Sequence, residues 1–166
     1  TLKARQTTER FRVVGNNSKL RSTDDHIVDG RILDARMAMA LGNYRLAHFL
    51  VTDALRARGY FEGKRSPNFR SALLLASETA LRVQQPDSAL LFARDARKLA
   101  TLDSVADLQS ARVGEARLFE GRALLARGDT GEARATLERA RAALRTGAGA
   151  GHSLTRESDS LLSALP

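Results

Sequence analysis

The densest set of groups able to do chemistry is Asp24-Asp25-His26 with Asp29, three carboxylates and an imidazole close together in the chain. Oxygen donors with one imidazole suit a divalent cation. The same residue types also open helices, because carboxylates in a first turn oppose the positive end of the helix dipole. An apolar periodic segment starts just downstream at Ile32, so the cluster reads as a helix start. The other two histidines, His48 and His152, are remote in sequence, and no Ser-His-Asp or paired-carboxylate spacing accompanies them. His48 falls inside a helical segment and reads as a packed or surface side chain. Gly147-Ala148-Gly149-Ala150-Gly151 has the composition of a phosphate loop, but it follows a helical run and lacks the Gly-Lys-Ser/Thr ending. It reads as a flexible linker. With no Cys in the chain, disulfides, thiolate metal ligands and a cysteine nucleophile are excluded. This inventory predicts a non-catalytic protein with no metal, no cofactor and no small-molecule substrate.

What remains is a scaffold, and its elements can be read from composition and period. A chain of 166 residues suffices for one compact domain or a short solenoid. The apolar fraction of 43% is mostly Ala and Leu, the strongest helix formers among apolar residues, while aromatics make up only 5%. An aliphatic, all-α protein follows. No stretch approaches the roughly 18 uninterrupted apolar residues that a membrane-spanning helix needs. The net charge of +8 raises the question of nucleic acid or an anionic membrane surface. The cations are almost all arginines, spread through helices with Glu and Asp between them. They lack the aromatic interleaving on which single-stranded nucleic acid stacks, so nucleic acid is the less favoured partner.

Self-similarity is the strongest signal. Three segments, Ile32 to Arg58, Leu74 to Ala100 and Leu118 to Leu144, align without internal gaps as helix, tight turn and helix. The turns are centred on Gly42, Gln84 and Gly128, a period of 42 and then 44 residues. Three columns hold only small residues: Ala35/Ser77/Gly121 in the first helix, and Ala47/Ala89/Ala133 and Ala54/Ala96/Ala140 in the second. Antiparallel helices joined by a short turn approach closely only where no large side chain stands at the crossing. Leu50, Leu55, Leu90, Leu91, Leu99, Leu137 and Leu144 give each second helix a stripe to bury. Gly42 and Gly128 are suited to the left-handed conformation that ends a helix. Asn43 and Asp129 are predicted to cap the next helix, Asp129 to Glu132 has capping-box spacing, and Pro86 stands at a first helical position.

These columns and turns resemble the tetratricopeptide repeat family over about residues 30 to 146. The period exceeds the family's usual length of about 34 residues, with the excess in the linkers around Gly59 to Phe69 and Thr101 to Ala111, as in the kinesin-light-chain-like variety. Gly151-His152-Ser153-Leu154-Thr155 is similar to the Gly-x-His-Pro-x-Thr opening of such repeats, also found in bacterial kinase-associated arrays, with Ser153 in place of Pro. The usual aromatic positions and the repeat-closing Pro are absent; Gly59, Thr101 and Arg145 stand where that Pro belongs. The resemblance implies a right-handed α-solenoid of three repeats, about 31–59, 70–101 and 112–146, with a capping helix at about 153–165. Residues 1–30 are an arm or linker, in which Phe11-Arg12-Val13 has the alternation of a short strand.

In that family the first helices line a concave groove. Carried onto this chain, the groove columns are Ile32/Leu74/Leu118, Met39/Leu81/Leu125 and the charged Arg36/Glu78/Arg122. The implied partner is another protein offering an amphipathic helix or an extended segment with an acidic group. Lys and Asn residues that some members use to clamp a C-terminal carboxylate are missing from these columns. The expected role is a protein-binding scaffold or assembly subunit of a larger complex, with an anionic membrane surface as a further contact suited to the charge. The alternatives are the C-terminal interaction region of a bacterial signalling protein such as a Ser/Thr kinase, and a nucleic-acid-binding solenoid.

Overall fold

A computed structural model describes residues 29–61, 67–102 and 110–166. All the regular structure in them is helical: α1 over 29–40, α2 (Tyr44–Phe61), α3 (Pro67–Arg82), α4 (Pro86–Leu102), α5 (Ala111–Arg127), α6 (Thr130–Gly147) and α7 (Ser153–Ser163). Asp24, Asp25, His26 and the Phe11-Arg12-Val13 segment lie outside the described residues. Asp29 is already helical.

The three hairpins stop and restart in the same way. Gly42, Gln84 and Gly128 all have positive φ, at 76°, 60° and 87°. At each turn the left-handed residue donates its N–H to a carbonyl three residues back, and the next residue donates to one five back: Gly42 to Met39 and Asn43 to Ala38, Gln84 to Leu81 and Gln85 to Ala80, Gly128 to Leu125 and Asp129 to Leu124, at 2.8–3.1 Å. This is the Schellman pairing, which satisfies carbonyls orphaned at a helix end. The middle repeat achieves it with a non-glycine residue.

Entry into the second helices is less uniform. Asn43 Oδ1 accepts from the Leu46 N–H at 3.3 Å, and α4 begins at Pro86 as expected. Asp129 corrects the sequence expectation, for its side chain makes no cap hydrogen bond. Its carboxylate instead meets Arg127 Nε at 3.0 Å, and Glu132 reaches Arg94 Nη2 at 2.8 Å, so the capping box does not form. A cation within reach competes better for a carboxylate than a neutral N–H does.

The small-residue columns are the crossing points. Ala35, Ser77, Ala47, Ala89, Ala133, Ala54, Ala96 and Ala140 are all fully buried. Ser77 keeps its hydroxyl satisfied by donating to the Ala89 carbonyl across the hairpin at 2.9 Å. The core runs through the stack as linked clusters, one joining Val51, Leu55, Phe69, Leu73 and Ala116, and another joining Leu118, Leu137, Ala140 and Leu144. Each buried leucine contributes about 1.5–3 kcal/mol through removal of apolar area from water.

Consecutive helices pack from α2 to α7, and in addition α3 touches α5 and α5 touches α7. The second helices α2, α4 and α6 meet through side chains, as His48 does with Phe92 and Arg94 with Glu132, without close approach of their backbones. The first helices are therefore the closer-spaced inner layer of an all-α helical-repeat solenoid, and α7 continues that layer. Its leucines Leu154, Leu161, Leu162 and Leu165 pack on the last cluster and close that end. His152 caps α7 by accepting the Leu154 N–H at 3.3 Å. The Gly147–Gly151 segment is no slack linker: Gly147 completes α6, and Gly149, at φ 93°, turns the chain by donating to the carbonyls of Leu144 and Arg145.

Candidate functional site

The inner layer carries an open groove of about 550 Å³ where α1, α3 and α5 face outward together. Arg36 and Met39 come from α1, Leu74, Leu75, Glu78 and Arg82 from α3, and Glu115 and Phe119 from α5. Four of the nine residues expected from sequence, Arg36, Met39, Leu74 and Glu78, thus meet at one surface.

The other five do not. Leu118 is fully buried in the last core cluster, and Leu74, though it borders the groove, is only 5% exposed. Leu81 and Leu125 pack against the core beneath the hairpin turns, and Ile32 packs beside Ala35 and Val51. Arg122 lies over the Phe119 ring at 5.0 Å from its centre and 3.6 Å from Glu157 of α7, so it braces the capping helix. The physical reason is a rotation of about 100° per residue. The apolar column that faces the groove is Leu75/Phe119, one residue after Leu74/Leu118. Phe119 was the available signal, an aromatic among leucines at a partly exposed helix position.

The electrostatics separate spent from unspent charge. Glu115 is taken by Arg70 at 2.8 Å. Arg82 stacks on Tyr44 at 5.3 Å. Arg36 is exposed and Glu78 half-buried, and neither forms an ion pair among the described residues. The groove therefore offers one cation and one anion beside the apolar side chains of Met39, Leu75 and Phe119. The N-terminal repeat adds an apolar stripe running from α1 into its turn, with Leu33, Met37 and Leu41 exposed by 59%, 57% and 82%.

No group of three or more metal-ligating side chains occurs among the described residues, and none of their helices is long and apolar enough to cross a membrane. His48 sits on α2 with Nδ1 3.1 Å from Thr79 Oγ1 and its ring edge-on to Phe92 at 6.5 Å. Burial lowers its pKa from the ordinary 6.5. The neutral form is favoured by folding, so the contribution to stability is complete above the unfolded pKa. It is lost as pH falls from there through the lower folded value. Thermal unfolding between pH 7.5 and 5 should therefore show a steeper acid loss for the wild type than for His48→Gln; equal slopes would remove this role.

No protein-family model matches the chain, and comparison with curated proteins finds no match.

Proposed function

We propose that this protein is a non-catalytic, protein-binding scaffold or assembly subunit, holding a partner's helix or extended segment in the groove of α1, α3 and α5. The observation that carries this reading is the pair Arg36 and Glu78, opposite charges without an ion-pair partner among the described residues, in the same groove as Met39, Leu75 and Phe119. Apolar floors with polar orienting groups suit amphipathic segments, the floor giving affinity and the charges giving register. The resemblance of the repeats to the tetratricopeptide family supports the same face. A nucleic-acid role is less favoured because much of the arginine charge is spent internally, in pairs such as Arg31 with Asp53, Arg70 with Glu115 and Arg145 with Asp159.

The test is affinity capture from the native organism at moderate salt, comparing wild type with the charge-reversed Arg36→Glu/Glu78→Lys. A protein captured by the wild type should bind the variant at least about tenfold more weakly, since rim charges fix register and suppress mismatched partners. Unchanged capture moves the interface off this groove, and recovery of nucleic acid alone overturns the scaffold reading.

A further inference from the structure

The opposite side of the stack holds a second cleft, of about 390 Å³, between α4 and α6 with α5 as its floor. Four arginines converge on it: Arg94 and Arg97 from α4, Arg117 from α5 and Arg139 from α6. Among the described residues two carboxylates line it with them, Glu120 and Glu132, which leaves two positive charges uncompensated there.

Both carboxylates are already engaged. Glu120, just 5% exposed, accepts from Arg94 Nε at 3.0 Å through one oxygen and from Arg97 Nε at 2.8 Å through the other. Glu132 is held by Arg94 Nη2 at 2.8 Å. Arg117 and Arg139 have no ion-pair partner among the described residues. Burial lowers the Arg117 pKa from its usual value, and the neighbouring charges of Arg97 and Arg139 act in the same direction against the opposing pull of Glu120. Folding has thus gathered like charges at a partly buried place, an arrangement that costs stability unless something anionic completes it.

A second observation is independent of charge. Thr136 on α6 lines the same cleft at 9% exposure. Other helical threonines return their hydroxyl to a backbone carbonyl, as Thr52 does to His48 and Thr79 to Ala76, whereas the Thr136 hydroxyl has no protein partner among the described residues. A buried hydroxyl without a partner is costly, and this one is a donor beside two unspent guanidinium forks.

We propose that the α4/α5/α6 cleft is a phosphate-binding site, in which Arg117, Arg139 and the Thr136 hydroxyl hold a phosphate dianion, free or carried as a monoester. The volume is at the small end of ligand sites, which run from about 300 Å³. Guanidinium forks match phosphate oxygens in pairs, and a dianion cancels the two surplus charges. Arg94 and Arg97, held by Glu120, fix the rim. The site lies on other helix faces than the groove that serves the proposed scaffold function, and neither depends on the other.

The experiment is calorimetric titration of the whole chain with inorganic phosphate, phenyl phosphate and succinate, each at ionic strength matched with potassium chloride. Saturable one-to-one binding of at least one of the two phosphates is expected, weakened tenfold or more in Arg117→Gln/Arg139→Gln and severalfold in Thr136→Val, and unchanged in Arg36→Gln. The double variant should fold, because it relieves repulsion; its thermal midpoint without phosphate should equal or exceed the wild type's. Tighter binding of phenyl phosphate assigns the site to a phosphorylated molecule, and tighter binding of inorganic phosphate assigns it to the free ion. Absence of saturable heat, equal binding of succinate, or full binding by both the double variant and Thr136→Val overturns the proposal.

Discussion

Gly121→Val should destabilise the protein by about 1–3 kcal/mol, the usual cost of forcing extra volume into a packed core. A Cβ at Gly121 would come within 2.6 Å of Leu137 Cγ and Cδ2. Leu137 is fully buried, so it cannot swing aside into solvent. Relief requires α5 and α6 to separate, and with them the cluster of Leu118, Ala140 and Leu144 that α7 covers. The small gain in helix propensity on replacing a glycine, roughly half a kcal/mol, does not offset this. Gly131→Ala is the matched control. It lies on α6, the other helix of the same hairpin, where nothing stands within 4 Å of its added Cβ, and its stability should stay level or rise. Urea unfolding of the two variants checks the pair. A Gly121→Val protein as stable as Gly131→Ala would mean that the crossing of the third hairpin is not sterically limited.

Glu120→Gln should lose about 2–3 kcal/mol. Breaking a buried ion pair by removing one partner typically costs about 3–5 kcal/mol. The lower figure applies because Arg94 and Arg97 keep 38% and 34% of their side-chain surface in water. The substitution withdraws the one buried carboxylate among the described residues that faces four arginines, and the neutral amide cannot accept from both Nε groups as a carboxylate does. Two signatures distinguish this from general core damage. Raising salt should recover part of the loss by screening the exposed ends of the arginines, and adding Arg117→Gln should recover more by removing one member of the cluster. If Glu120→Gln and Arg117→Gln act additively, the two side chains are not coupled and the charge argument fails.

The groove shows how far a column argument reaches. Arg36 and Glu78 were legible because charged residues at aligned positions of first helices are poor candidates for burial. Leu118 and Leu74 were not, since leucine at helical spacing fits a core and a groove wall equally. One residue of rotation separates the two faces, and sequence period alone does not resolve it. The arginine cleft was invisible for a different reason. Its residues come from three helices in two repeats, at positions the repeat alignment treats as ordinary solvated surface, and nothing local marks Glu120 as a carboxylate that will be buried.

The sequence by itself determined the helices, the turns between them and the points where hairpins cross. These are local: left-handed turn residues at Gly42, Gln84 and Gly128 recur with the same hydrogen bonds, and the alanines of the small columns leave no alternative partner surface at a close crossing. Even there, competition from a neighbouring helix decided the outcome at Asp129 and Glu132, whose carboxylates went to arginines instead of to backbone N–H groups. Tertiary structure alone decided which side of each first helix faces outward, which charges are cancelled and which are left over. Those depend on the rotation and spacing of helices about 40 residues apart in sequence, fixed by packing summed over the whole stack rather than by any residue's own preference.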